Sequence, residues 1–220
     1  MHLPLLLYLK KVKKMIIIDE NFLTGEDLVR LTETMVEQKH FPIRYRFDQD
    51  SQEGNSLADY PCIISGDKFD GTPMLCCVGQ FEPGDIENPE FDKYAKGLLA
   101  KFAIKHKIPV VEVLRSKSTL TFPKPDPRPD YAHVDYDVPG YVLLIYVVDS
   151  DGDTILYDQK YTGEVFHEND ITERIRVTPK AGKAILFDNY IYHAVHNPAD
   201  SKFRQIINMN FTAPDFKAEN

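Results

Sequence analysis

The sequence predicts a mostly β protein, an antiparallel sandwich, jelly roll or barrel, with helices leading into it. Three observations carry that expectation. Segments 110–114, 118–122, 141–149, 154–157, 175–178, 184–187, 190–195 and 205–211 each read as short strands, eight of them within roughly 100 residues. Pro, Gly, Asn and Asp lie between them, so the chain turns back at short intervals. Ahead of them stand two amphipathic stretches with helical spacing.

The elements follow in order. Residues 15–19 (MIIID) form a short apolar run that predicts a first strand. Thr24 precedes Asp27 by three residues, which resembles a capping box. Leu28, Leu31, Met35 and Val36 then recur on one side, predicting a helix over about 25–38. Asn88 can cap a second helix, and Pro89 suits its first turn. Phe91, Tyr94, Ala95, Leu98, Leu99, Phe102 and Ala103 give that helix one apolar stripe to about Lys107. Between the helices, residues 40–87 are rich in Gly, Pro, Asp and aromatics and predict loops and short strands. Within the strand-rich half, 123–130 (PKPDPRPD) and 158–169 (DQKYTGEVFHEN) read as long surface loops, the usual place for binding groups on a sheet scaffold.

Two hundred and twenty residues suit one domain able to bury its own core. The first fourteen residues (MHLPLLLYLKKVKK) read as an appended tail, with the domain expected over 15–220 and its catalytic sheet over about 110–211. The tail's charges follow its apolar run, the reverse of a secretory signal, and the run is shorter than the roughly 20 apolar residues of a membrane span. Cys62, Cys76 and Cys77 form a poor disulfide framework and predict reduced, buried thiols in a cytoplasmic setting. Lys and Arg number 26 against 34 Asp and Glu, a net charge of −8. Such acidity disfavours non-specific nucleic-acid binding, which needs a basic surface. No period of 20–50 residues recurs, and neither GxxxxGK[ST] nor GxGxxG is present.

The chemistry-bearing signal is Tyr131-Ala132-His133-Val134-Asp135. On a strand, residues i and i+2 share a face, so His133 and Asp135 can reach one metal ion from a single segment. Sixty residues on, His193 lies inside a strand-like run, and Arg204 follows eleven residues after it. Two His and one carboxylate with open positions opposite form the facial triad of non-heme Fe(II) oxygenases. A downstream Arg suits a dicarboxylate, which its planar fork pairs bidentately. His196 rivals His193 as the distal ligand. His193 is preferred because His196 abuts Asn197-Pro198, a turn sequence. His2, His40, His106 and His167 have no partner at ligand spacing. On the last strand Arg204, Ile206, Asn208 and Asn210 share one face, which suggests a polar cavity there.

Together these residues resemble the 2-oxoglutarate- and Fe(II)-dependent dioxygenases, in particular the prolyl-4-hydroxylase-like branch. Residues 143–149 followed by Asp151-Gly152-Asp153-Thr154 resemble the strand and Gly-containing turn after HxD in that branch. The stretch 178–187 resembles its Pro-x-x-Gly-x-x-x-x-Phe approach to the distal His. His193-x-Val195, Pro198 and Arg204 resemble the exit. The nearest impression is of small single-domain oxygenases from phage and marine microbes, which would make the chain viral. The resemblance implies a double-stranded β-helix supported by N-terminal helices. It implies Fe(II) on His133, Asp135 and His193, and 2-oxoglutarate clamped by Arg204, with Asn208 and Tyr131 as further cofactor contacts and ascorbate as a reductant. The implied reaction is oxidative decarboxylation of 2-oxoglutarate by O2 to succinate and CO2, coupled to hydroxylation of a peptidyl prolyl residue, or of a free amino acid or other small molecule.

In this branch a Tyr on the strand after HxD often donates a hydroxyl to the distal carboxylate of 2-oxoglutarate. The matching position here is Val147, with Tyr146 pointing the other way. Phe122 likewise stands where a Tyr is expected, which leaves Tyr131 and Tyr192 as candidates. Two other classes compete: a cupin-like Zn or Mn enzyme, which would leave Arg204 without a purpose, and a non-catalytic jelly-roll metal-binding module. The overall acidity leaves room for a cationic substrate such as a basic peptide.

Overall fold

A computed structural model describes residues 16–37, 44–46, 74–124, 128–163, 166 and 170–214. The expected tail, Cys62, His2, His40, His167, the middle of the 123–130 loop and most of 164–169 lie outside the described residues. Strand β1 (Ile16–Asp19) leads to α1 (Gly25–Thr32), which continues as a π-helical turn over Glu33–Glu37. Strands β2 (Arg44–Arg46), β3 (Met74–Glu82) and β4 (Asp85–Ile86) precede α2 (Pro89–His106). Seven strands follow: β5 (Glu112–Thr121), β6 (Tyr141–Tyr146), β7 (Thr154–Lys160), β8 (Glu173–Val177), β9 (Ala184–Asp188), β10 (Ile191–Val195) and β11 (Arg204–Thr212). They form a major sheet ordered β1-β9-β6-β11-β5-β3-β2, with β4 on β3, and a minor sheet ordered β10-β7-β8. Every strand pair in both sheets is antiparallel.

Period-2 alternation splits the major sheet between two cores. Leu143, Ile145, Leu186, Ile207, Met209 and Phe211 pack with Phe22, Leu31, Phe91, Leu99 and Phe102 of the helical layer. Their strand neighbours Val142, Leu144, Tyr146, Ile185, Phe187 and Ile206 pack toward Leu156, Val177 and Ile191 of the minor sheet. A third cluster, including Ile155, Tyr157, Tyr192 and Ala194, covers the minor sheet's far side. The helical layer is held to the sheet by polar ties as well. Asp19 meets Lys105 Nζ and His106 Nε2, each at 2.8 Å, and Leu23 N–H donates to Gly182 O. Gly182 has φ +83°, and an added Cβ would lie 2.3 Å from the Leu23 carbonyl oxygen, so only glycine fits there.

The helices begin where their caps predict. Asn88 Oδ1 accepts from Phe91 N–H at 3.0 Å, and Pro89 opens α2. Thr24 holds the N-cap position of α1, but its side chain makes no capping bond, so the expected capping box does not form. The nine-residue β3 exceeds the short strands expected before α2. It is buried on both sides over Cys76, Cys77 and Val78, which erases the alternation that marks a strand. Segments 110–114 and 118–122 are one strand, β5, because Arg115 and Lys117 continue it instead of interrupting it. Cys76 and Cys77 are buried and form no disulfide. Among the described residues, no helix is long and apolar enough to cross a membrane.

Candidate metal centre

His133 and His193 face each other across a two-way backbone pair, in which each N–H donates to the other's carbonyl at 2.9 Å. This single bridge replaces the regular strand expected for HxD, yet it does the same work. Directly opposed residues project to one side, and Asp135, two positions on, joins them. A register shift in the β7–β10 pairing lies between Ile191 and His193, the kind of irregularity that re-aims a side chain. Potential ligand atoms of His133, Asp135 and His193 all lie within 4.8 Å of one another. Nε2 of His133 is 3.7 Å from Asp135 Oδ1, and Nε2 of His193 is 4.0 Å from Asp135 Oδ2.

Both imidazoles are turned the same way. Nδ1 of His133 lies 3.1 Å from the Tyr131 carbonyl, and Nδ1 of His193 lies 3.2 Å from the Ile191 carbonyl. A carbonyl can only accept, so each Nδ1 carries a proton, and it is Nε2 of each ring that is directed toward Asp135 and free to offer a lone pair to a metal in the neutral form. Burial, helped by the nearby His133, lowers the His193 pKa to about 4, which keeps its ring neutral.

Asp135 is held on both oxygens. Arg115 Nη2 pairs with Oδ1 at 2.7 Å, and the amides of Asn208 and Asn210 donate to Oδ2 at 3.0 and 2.9 Å. Burial alone would raise the carboxyl pKa. Arg115, the two histidines and the Asn208 hydrogen bond outweigh it and hold Asp135 well below the usual carboxylate range. Arg115 in turn bonds Asn210 Oδ1 through Nε at 3.1 Å and sits 5.3 Å over the Tyr136 ring. Sequence reasoning missed Arg115. Its available signal was the run Arg115, Lys117, Thr119 and Thr121, polar residues at every second position of an otherwise buried strand.

Arg204 is 1% exposed. Its Nε donates to Gly152 O at 2.8 Å and its Nη2 to Thr154 Oγ1 at 2.7 Å, while Nη1 is buried without a partner. Gly152 is small for a reason: a Cβ there would meet Arg204 Cδ, His196 O and Pro198 Cδ, each at 3.0 Å. The turn is pinned by Asp151, whose carboxylate accepts from the backbone N–H groups of Ala199, Asp200 and Ser201. The Ser201 hydroxyl and those amides lower the Asp151 pKa strongly.

A cavity of about 120 Å3 connects these groups, lined by His133, Asp135 and His193 at one side and by Arg204, Thr121 and Thr154 at another. Tyr131 and Asn208 line it too. Asn208 spends its amide nitrogen on Asp135, and its Oδ1 is buried without a partner. The expected orientation of residues 146 and 147 is reversed. Val147 belongs to the helix-side core, whereas Tyr146 lies between the sheets, its ring 5.8 Å from the Arg204 guanidinium and its hydroxyl donating to Thr154 Oγ1 at 2.8 Å. Burial pushes the Tyr146 pKa up to about 12, although Arg204 acts against it. Tyr192 is not beside Arg204. It packs edge-on against Tyr161 and Phe166 on the far side of the minor sheet. His196 lies outside the His133–Asp135–His193 group, with its N–H on Asp153 O.

No family model and no curated protein matches the sequence. Solved structures do match. A 2OG-Fe(II) oxygenase family oxidoreductase from Burkholderia pseudomallei aligns over 92% of this chain and 87% of its own, with TM-score 0.56 at 11% identity. The fold is that of the 2OG-Fe(II) oxygenases. AviO1 from Streptomyces viridochromogenes shares this fold, aligning over 94% of both chains with TM-score 0.54 at 15% identity. HygX from Streptomyces hygroscopicus, solved with nickel, 2-oxoglutarate and hygromycin B, aligns over 94% of this chain and 86% of its own, with TM-score 0.52 at 13% identity.

Proposed function

We propose that the protein is an Fe(II)- and 2-oxoglutarate-dependent dioxygenase. One observation carries this reading: two imidazoles and a carboxylate converge at one side of a cavity that also holds a buried arginine with an unmet donor. The donor set fits Fe(II), because two His and one carboxylate leave three positions open. The unmet Nη1 of Arg204 fits the distal carboxylate of 2-oxoglutarate. When bound, iron and 2-oxoglutarate supply the oxidising chemistry. The chain's own residues orient and exclude. His133, Asp135 and His193 hold the metal, Arg115, Asn208 and Asn210 fix the carboxylate ligand, and Asp151 and Gly152 set the arginine.

The hydroxyl donor to the distal carboxylate is Thr154. Its Oγ1 already accepts from both Arg204 Nη2 and Tyr146, which leaves its own hydrogen to donate into the cavity it lines. Thr121, across the strand pair from Arg204, adds a second buried hydroxyl without a partner. The motif resemblance supports a peptidyl prolyl residue as the group hydroxylated. The alternative, a free amino acid or small molecule, is supported by HygX, which shares the fold and was solved with hygromycin B. Anaerobically reconstituted protein should convert 2-oxoglutarate to succinate on admission of O2, with ascorbate sustaining turnover. No succinate from folded, iron-loaded protein would overturn the reading.

A further inference from the structure

Asp135 brings the anionic charge of the candidate ligand set, and that charge is already matched. Arg115 Nη2 lies 2.7 Å from its Oδ1. Both members of the pair are buried, at 8% and 7% side-chain exposure, so water screens them little. The guanidinium is fixed as well. β5 sets Arg115 opposite Asn210 of β11, its Nε donates to Asn210 Oδ1 at 3.1 Å, and its Cζ stands 5.3 Å from the centre of the Tyr136 ring. Two amides, from Asn208 and Asn210, already orient the carboxylate through Oδ2. What Arg115 adds is a full positive charge on a ligand oxygen, and such a charge acts on the oxidation state of a metal. Imidazole binds a metal as a neutral donor, so the Asp135–Arg115 pair and the two histidines bring no net charge. With Fe(II) and the 2-oxoglutarate dianion these groups are neutral together, and Fe(III) in place of Fe(II) leaves one positive charge. Without Arg115 the ferrous set carries one negative charge and the ferric set is neutral. A buried site disfavours uncompensated charge, so Arg115 favours the ferrous ion. The other charged groups of the described lining, Lys117, Asp130 and Arg204, are the same with and without Arg115 and do not enter the difference.

Resting on the oxygenase reading, we propose that Arg115 is a positioning residue that acts through Asp135 to hold bound iron in the ferrous state. The equilibrium it biases is the uptake of one electron by Fe(III) to give Fe(II). Protein loaded anaerobically with Fe(II) and saturating 2-oxoglutarate is brought to equilibrium with redox mediators at stepped potentials, and the ferric fraction is read by electron paramagnetic resonance. Arg115→Met, similar in length and uncharged, should move the Fe(III) to Fe(II) ratio at a fixed potential at least tenfold toward Fe(III), which lowers the midpoint by about 59 mV or more for one electron. Arg115→Lys, which keeps the charge, should stay within about threefold of the parent. Asn210→Ala, which removes a neutral donor from the same carboxylate, should move the ratio less than Arg115→Met. A purely structural role would change how much iron is held and leave the ratio alone. Where Arg115→Met holds no iron, Arg115→Gln, which keeps a donor without the charge, carries the same expected shift. Equal ratios in the parent and the uncharged variant overturn the proposal, as does a shift in Arg115→Lys or Asn210→Ala as large as that in Arg115→Met. Loss of iron from both uncharged variants also overturns it and leaves Arg115 a structural role. Failure of the parent protein to bind Fe(II), or 2-oxoglutarate with it, overturns the oxygenase reading and the proposal together.

Discussion

The two faces of β11 do opposite work. Gln205, Ile207, Met209 and Phe211 face the helical layer, and the last three join its apolar core. Arg204, Ile206, Asn208 and Asn210 face the minor sheet, and the three polar ones there bond the metal-side carboxylate or the Gly152 turn. Both faces are buried throughout, so burial alone does not tell them apart. What differs is how polarity is satisfied. The helix side needs few partners because it is mostly apolar, while the inner side supplies a dense network that leaves Arg204 Nη1, Asn208 Oδ1 and Thr121 Oγ1 unmet. Unmet buried donors and acceptors are costly in a folded chain, and here they converge on one cavity. Apolar packing is thus concentrated on one face and unmet polar groups on the other.

That division can be broken by substitution, and the effects rank. His193→Ala should abolish succinate formation, whereas His196→Ala should retain it; the opposite pattern in matched assays would transfer the ligand role to His196. On the helix face, Phe211→Ala should cost about 3–5 kcal/mol in chemical denaturation through the lost burial and the cavity left behind. Its metal stoichiometry should stay at one per chain. Arg204→Ala should weaken 2-oxoglutarate binding about a hundredfold in calorimetry while sparing metal affinity, since it removes a charge-assisted pair. Asn210→Ala should lower metal affinity about tenfold, because it frees one side of the Asp135 carboxylate.

The smallest effect lies farthest from the cavity. Burial would raise the Asp19 pKa, but Lys105 and His106 overcome it and hold it below the ordinary value. A depressed carboxyl stabilises the fold above the unfolded-state pKa and loses that contribution as pH falls through the folded one. Asp19→Asn should therefore cost about 1 kcal/mol at neutral pH and flatten the acid limb of the stability curve below about pH 4. An unchanged acid limb would show that this tie between β1 and α2 carries no weight.

The sequence announced the strands whose neighbours alternate or end in turns, and the structure has most of them within a few residues. It concealed β3 and the middle of β5 for opposite reasons. β3 is apolar on both faces, so no period shows, and β5 carries charges inward, where a buried strand is expected to be apolar. His133, Asp135, His193 and Arg204 could be picked from spacing alone, because a ligand pair two residues apart and a strand-borne arginine are local patterns. Arg115 could not, since its role depends on β5 lying beside β11. Residues 146 and 147 show the limit most plainly. A one-residue change of phase moves a side chain to the other face, and Tyr146 lies beside Arg204 where Val147 was expected.

The central claim is that one cavity binds iron and 2-oxoglutarate together through the residues that line it. Anaerobic addition of 2-oxoglutarate to the Fe(II)-loaded protein tests it directly by visible absorption. The account predicts a metal-to-ligand charge-transfer band that saturates at one 2-oxoglutarate per chain, persists in His196→Ala, shifts to much higher 2-oxoglutarate concentration in Arg204→Ala and vanishes in His193→Ala. Absence of the band in folded, iron-loaded protein, or its persistence in His193→Ala, would contradict it.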